Sequence, residues 1–266
     1  MPARRPLEST ERVEADDPAS GAPAVVRVWL ADPDAPSGAE VARCETLLDP
    51  EERARAARRR GDAARRAFVV AHALVRRSLS READVAPDAW RFARAPGGRP
   101  EVAAPAHAVG LGFNLSHTAG LAACAVVRGA SVGVDVEAGA RLARPLALAE
   151  RFFAAEEAAA LRTLPEARQR ERFVELWAAK EAVVKARGVG IAGALAAVRL
   201  SLEGEGWRLV TAGEGADATA PFWQLALLRP TARHVLAVAV RRASGPALAL
   251  EVAFEDGAPL AAATAG

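Results

Sequence analysis

Val132-Gly133-Val134-Asp135-Val136-Glu137 and, further on, Leu176-Trp177-Ala178-Ala179-Lys180-Glu181-Ala182-Val183-Val184-Lys185 decide how this chain is read. The first stretch is apolar and β-branched with carboxylates at i and i+2. A strand alternates its side chains, so Asp135 and Glu137 share one face while Val134 and Val136 take the other. In the second stretch apolar positions recur at helical spacing. Trp177, Glu181 and Lys185 fall at i, i+4 and i+8 and form one stripe. If strand and helix pack together, three carboxylates converge beside a lysine. Three oxygen ligands plus waters suit Mg2+ better than zinc, because Mg2+ is hard and keeps waters and substrate phosphates around it. The plainer alternative is a solvated edge strand and an ordinary amphipathic helix carrying a Glu-to-Lys pair.

Upstream lies Gly112-Phe113-Asn114-Leu115-Ser116-His117-Thr118, and between the two stretches lies Phe152-Phe153-Ala154-Ala155-Glu156-Glu157. Taken in order, F-N-x-S-H, G-V-D-x-E, F-F-x-x-x-E and W-x-x-K-E-x-x-x-K, closed by Gly188-Val189-Gly190, resemble the 4′-phosphopantetheinyl transferases. Gly97-Gly98-Arg99-Pro100 matches the family's G-(K/R)-P signal more weakly. The resemblance covers about residues 40–195. The length is similar to that of the long, surfactin-synthetase-activating class and not to the short trimeric holo-acyl-carrier-protein synthases.

The resemblance implies a Mg2+-dependent holo-[acyl-carrier-protein] synthase activity. The phosphopantetheine arm of coenzyme A would move to a serine of an acyl or peptidyl carrier protein, releasing adenosine 3′,5′-bisphosphate. Such a reaction needs pyrophosphate charge neutralised and the attacking oxygen aligned. Asp135, Glu137 and Glu181 are then the expected metal ligands. Glu181, or a water on the metal, takes the serine proton, and Lys185, one turn on, balances charge on the leaving phosphate or eases the proton transfer. Ser116 and His117 read as phosphate contacts through a hydroxyl and an imidazole N–H. Lys180 points about 100° away from Glu181 on the helix, which leaves a phosphate or adenine-side contact and a structural salt bridge both open.

Net charge is only +2, yet Arg53, Arg55, Arg58, Arg59, Arg60, Arg65, Arg66, Arg76 and Arg77 crowd one region. A solvated helix face is the bland reading. The functional one is binding of the coenzyme A phosphates and steering of acidic carrier proteins. The family places a basic residue where this chain has Ala67, so Arg55, Arg66 and Arg99 are the expected contacts to the 3′-phosphate. A basic nucleic-acid-binding protein and a non-catalytic carrier-protein-binding relative are the competing functions. The first lacks stacking aromatics beyond Phe68, and neither uses the acidic cluster. The physiological carrier stays open, with secondary-metabolite synthases implied by the class.

The chain has 266 residues and 51% apolar composition, enough for a sizeable core. It shows no run of about 18 apolar residues and no apolar stretch near the start resembling a signal peptide, so a cytoplasmic protein with no membrane partner is expected. Cys44 and Cys124 form no pair motif and read as free thiols. Leu121–Val127 reads as a buried strand that keeps Cys124 inert.

Helices are expected over 49–60, 63–81, near 147 onward and 166–187, the last stopped by Gly188. Strands are expected at 25–30, 90–92, 111–115, 120–127, 132–136, 197–202, 206–211, 222–228, 234–241 and 248–254, and a loop over 94–109. Helices followed by strand meanders give an α+β class. The resemblance adds two similar lobes, each an antiparallel sheet packed with helices about a pseudo-two-fold. The lobes are placed at 25–130 and 131–256, between loose tails at 1–24 and 257–266, in a monomer.

Overall fold

A computed structural model describes residues 25–95, 97–139, 144–189, 194–203, 206–211, 222–243 and 248–255. Both expected tails, and Gly190, lie outside the described residues. The elements in order are β1 (Val25–Ala31), α1 (Gly38–Leu47), α2 (Pro50–Ala57), α3 (Asp62–Glu82), β2 (Arg91–Arg94), β3 (Pro100–Ala104), β4 (Leu111–Thr118), β5 (Leu121–Arg128) and β6 (Ser131–Ala138). They continue as α4 (Pro145–Phe152), α5 (Ala155–Thr163), α6 (Glu166–Arg187), α7 (Ala194–Ala197), β7 (Arg199–Glu203), β8 (Gly206–Thr211), β9 (Phe222–Thr231), β10 (His234–Arg242) and β11 (Ala249–Phe254).

The class is α+β, as expected. One sheet runs β11-β1-β5-β4 and a second runs β6-β10-β9, with β2-β3 and β7-β8 as separate hairpins. All pairings are antiparallel except β1 with β11, which is parallel. The two main sheets pack face to face. Val26, Val28 and Leu30, together with Leu121, Ala123, Ala125 and Val127, meet Val132, Val134, Val136, Leu236, Val238 and Val240. The outer face of the first sheet carries α3, with Ala122, Cys124 and Val126 against Val70, Leu74 and Leu79. The outer face of the second carries α6, with Val235, Ala237 and Ala239 against Phe173, Ala182 and Val183. Strand β5 is thus covered on both faces, which explains why Leu121–Val127 is continuously apolar instead of alternating.

Several elements depart from the expected layout. The last strand, placed with the second half by sequence order, pairs with β1 of the first sheet. The stretch expected to be a loop over 94–109 contains β3, which completes a hairpin with β2. Helix α1 was not expected at all. It opens on a capping box in which Ser37 accepts from Glu40 N–H and the Glu40 side chain accepts from Ser37 N–H. Asp49 and Glu52 cap α2 in the same way.

Helix α6 lies unusually close to β6. A Cβ at Gly133 would collide with the backbone of Ala182 and of Ala186. Glycine at 133 therefore brings the helix backbone down onto the strand, and the side chains on either side of it meet.

Candidate active site

Because Val132, Val134 and Val136 fill the space between the sheets, the alternate face of β6 turns Asp135 and Glu137 towards α6. Asp135 is buried, and its Oδ1 receives Lys185 Nζ at 2.5 Å and Ser116 Oγ–H at 2.9 Å. Lys185 also donates to Val134 O at 3.2 Å and lies 3.6 Å from Glu181 Oε2. Asp135 Oδ2 is buried and has no hydrogen-bond partner. Burial pushes Glu137 up to about 7, reinforced by the charges of Asp135 and Glu181. Glu181 is raised by burial and then by Asp135. The indole N–H of Trp177 works against both shifts.

The strand and helix therefore bring Asp135, Glu137, Glu181 and Lys185 together. Among the described residues no group of three His, Cys, Asp or Glu side chains is preassembled at ligating distance. The lysine ammonium stands against the carboxylates. The donor set nonetheless fits a hard divalent cation. One carboxylate oxygen is buried without a partner, and two glutamates are raised by burial and then by carboxylate repulsion that a cation would relieve.

The raised Glu137 has a testable consequence in the chelator-treated protein. A carboxyl whose folded pKa lies above its unfolded one contributes stability that is fully present below about 4.5 and is lost as pH rises through about 7. Glu137→Gln cannot ionise and keeps that contribution. It should melt about 2–4 °C above the parent at pH 8, roughly 1 kcal/mol after discounting for solvent access, and converge with it near pH 4.5. A lower melting temperature at pH 8 would contradict the assignment.

A cleft of about 430 Å3 is lined by Arg55, Arg59, Arg94, His72, Asn114 and His117, and also by Asp49, Glu51 and Glu52. The guanidinium groups of Arg55 and Arg59 sit 5.2 and 4.8 Å from the centre of the Phe68 ring, on which His72 stacks at 3.7 Å. Burial lowers the His72 pKa to about 4. His117 is lowered by desolvation, then by Arg59 and Lys185.

The remaining expected contacts are spread out. Arg66 donates to the carbonyl of Pro36. Arg99 pairs with Glu101 at 2.8 Å and donates to Ala186 O at 3.3 Å, near the left-handed Gly188 that ends α6. It lines a smaller cavity of about 240 Å3 with Glu101, Val102 and Val109. Lys180 is fully buried, 2.6 Å from Glu157, and donates to the carbonyls of Leu195 and Val198. Of the two roles left open for Lys180, the structure shows the salt bridge. The Ser116 hydroxyl, expected at a phosphate, is held by Asp135, Val136 N–H and Lys185.

The arginine run divides as well. Arg76 is buried against Glu52 at 2.6 Å, Arg65 pairs with Glu45 and Arg77 with Glu255. Arg55 and Arg59 line the cleft, and Arg58 and Arg60 are exposed next to Arg59 in the chain. Arg59 and Asn114 belong to the site although the sequence did not single them out. Arg59 was one of many arginines, and only its packing on Phe68 distinguishes it.

Comparison with known proteins agrees with this geometry. Residues 131–239, which carry β6, α6 and β10, match the 4′-phosphopantetheinyl transferase superfamily. The 4′-phosphopantetheinyl transferase HetI of Nostoc sp. is 34% identical over 81% of this chain and 87% of its own length. The 4′-phosphopantetheinyl transferase psf-1 of Bacillus pumilus is 42% identical over a shorter stretch, 35% of this chain and 40% of its own. A holo-(acyl-carrier-protein) synthase from Bacillus anthracis, solved with CoA (3′,5′-ADP), overlaps 43% of this chain and 96% of its own at 23% identity. Its TM-score of 0.36 is too low to argue from. With a relative at this identity spanning nearly the whole length, and with the acidic strand and the lysine-bearing helix meeting as they do, the chain belongs to the 4′-phosphopantetheinyl transferase superfamily.

Proposed function

We propose that this protein transfers the 4′-phosphopantetheine arm of coenzyme A to a serine of an acyl or peptidyl carrier protein, in the manner of the long class of the superfamily. The serine oxygen forms a new P–O bond, the pyrophosphate P–O bond breaks, and adenosine 3′,5′-bisphosphate departs. The observation that carries this reading is the convergence of Asp135, Glu137, Glu181 and Lys185, together with the arginine-lined cleft.

Arg55, Arg59 and His117 are placed to receive the nucleotide phosphates, Arg through paired N–H donors. Mg2+ is the cation the donor set fits. Asp135 through its unused Oδ2, Glu137 and Glu181 would hold it, and it would neutralise pyrophosphate charge. Glu181, or a water on the cation, would accept the serine proton. Lys185, held at Asp135 Oδ1, would balance negative charge developing on the leaving phosphate. The exposed run Arg58, Arg59 and Arg60, of which Arg59 lines the cleft, would give an acidic carrier protein an electrostatic approach. The two lobes are residues 25–130 and 131–256, with β11 returning to the first sheet. The protein acts as a cytoplasmic monomer on secondary-metabolite carriers. Among the described residues no helix is long and apolar enough to cross a membrane.

The test is intact-mass spectrometry of an apo carrier protein incubated with this protein, coenzyme A and Mg2+, with and without EDTA. The carrier should gain one phosphopantetheine group, and EDTA should abolish the gain. No gain with fatty-acid, polyketide and peptidyl carriers alike would overturn the reading.

A further inference from the structure

Arg76, on α3, is fully buried, and each of its five N–H donors has an acceptor. Nε and Nη2 reach Glu52 Oε2 at 3.1 and 2.6 Å, and Nη2 also reaches Asp49 Oδ2 at 3.3 Å. Nη1 donates to the carbonyls of Trp90 at 3.0 Å and Pro87 at 3.3 Å. The guanidinium carbon lies 5.1 Å from the centre of the Phe92 ring. Asp49, Glu52 and Phe92 all line the cleft of about 430 Å3, so Arg76 stands one side chain behind its wall. A ligand in the cleft feels this charge and does not touch it.

The composition of the wall gives that charge a task. Asp49, Glu51 and Glu52 face the same space as Arg55, Arg59 and Arg94. Three carboxylates against three guanidinium groups leave the lining with no net formal charge. His72 and His117 add none near pH 7, because burial lowers the pKa of both. A lining of that balance has no long-range pull on a polyanion. We infer that Arg76 is the residue that makes the cleft attractive to the phosphates of coenzyme A, by neutralising Asp49 and Glu52 from behind the wall. This rests on the reading of the cleft as the nucleotide site. Arg76 is thus a positioning residue, acting through two carboxylates. The same bonds fix geometry. Glu52 Oε2 also accepts Asp49 N–H at 3.0 Å, which caps α2 and holds its first turn, with Arg55 just beyond, against α3. The bonds to Trp90 and Pro87 tie in the segment that leads to β2, whose Phe92 and Arg94 form another part of the wall.

The experiment measures the dissociation constants of coenzyme A and dephospho-coenzyme A by calorimetry in EDTA. Glu52→Gln keeps an amide oxygen for Arg76 and for the cap and removes one negative charge. It should tighten coenzyme A binding about fivefold, the size expected for one charge acting on several phosphate charges across a solvated cleft. Arg76→Met should weaken it by about 10-fold, and by less for dephospho-coenzyme A, which carries fewer charges. Combining Arg76→Met with Glu52→Gln restores the charge balance and buries a neutral pair, so affinity should return to within about twofold of the parent. In turnover, Arg76→Met should raise the KM for coenzyme A with kcat little changed. If Arg76→Met does not fold, Glu52→Gln and the double variant carry the test. Unchanged or weaker coenzyme A binding in Glu52→Gln overturns the inference. So does a folded Arg76→Met with parental affinity, or one that loses both ligands equally and is not rescued by Glu52→Gln, the pattern of a purely structural residue. A parent that binds no coenzyme A would remove the nucleotide reading and this inference together. A parent that binds it and modifies a carrier, with all variants at parental affinity, would remove this inference alone.

Discussion

Asp135→Asn is expected to lower the transfer rate by about 10^3-fold or more while the protein stays folded. Removing one preorganised electrostatic contact at a site of charge development typically costs 10^2–10^3-fold, and this carboxylate is also the innermost candidate ligand for the cation. The amide keeps the shape and keeps an oxygen for Ser116 and Lys185, so the hydrogen bonds at 2.9 and 2.5 Å have a successor. What disappears is the charge. Stability of the chelator-treated protein should therefore change by less than about 1 kcal/mol, because the lost Lys185 attraction is offset by relief of Glu137 and Glu181, both of which Asp135 pushes upward. The pH at which Glu137 titrates should fall towards the ordinary carboxylate range. Carrier modification followed by mass spectrometry, thermal unfolding and a pH titration together check the three parts. A variant with more than a tenth of the parental rate would remove Asp135 from the reaction.

That prediction draws on the part of the site legible in the sequence. Period-two alternation put Asp135 and Glu137 on one face, and the i, i+4, i+8 spacing put Glu181 and Lys185 on one stripe. Both are local patterns, and Gly133 lets the two backbones approach closely enough to bring them together. The double-sided burial of Leu121–Val127 was legible for the same reason. Partner assignment was not. Lys180 and Lys185 look alike in sequence, yet one meets Glu157, 23 positions back along the chain, and the other meets Asp135. Ser116 and Arg99 also make bonds the sequence does not announce, Ser116 to Asp135 and the edge of β6 and Arg99 to Glu101 and the end of α6. The β1–β11 pairing joins strands at opposite ends of the chain, and no local period reports it. Helix α1 was missed even though Ser37 and Glu40 form a capping box, because its apolar face is thin and only Cys44 is buried on it.

Lys180→Ala is expected to destabilise the protein by about 3–5 kcal/mol, the cost typical of leaving a buried charge without its partner. Lys180 is fully buried and 2.6 Å from Glu157. Its ammonium also lies 4.9 Å from the centre of the Phe153 ring. Burial lowers its pKa, and Glu157 works against that shift. The glutamate in turn receives the N–H groups of Ala154 and Leu200, both at 3.0 Å, so the pair ties α5, α6 and the start of β7 into one knot. Removing the lysine strands both the carboxylate and the carbonyls of Leu195 and Val198. The double variant Lys180→Met with Glu157→Gln should regain at least half of the loss, because a neutral, volume-matched pair no longer buries an isolated charge. Chemical denaturation of the parent, Lys180→Met, Glu157→Gln and the double variant measures the coupling. A lysine that served coenzyme A phosphates would behave differently. The single change would raise the KM for coenzyme A with little loss of stability, and altering Glu157 would rescue nothing. The structure predicts the first pattern, since an ammonium enclosed by Glu157, Phe153 and two carbonyls cannot reach the cleft without breaking the packing of α6.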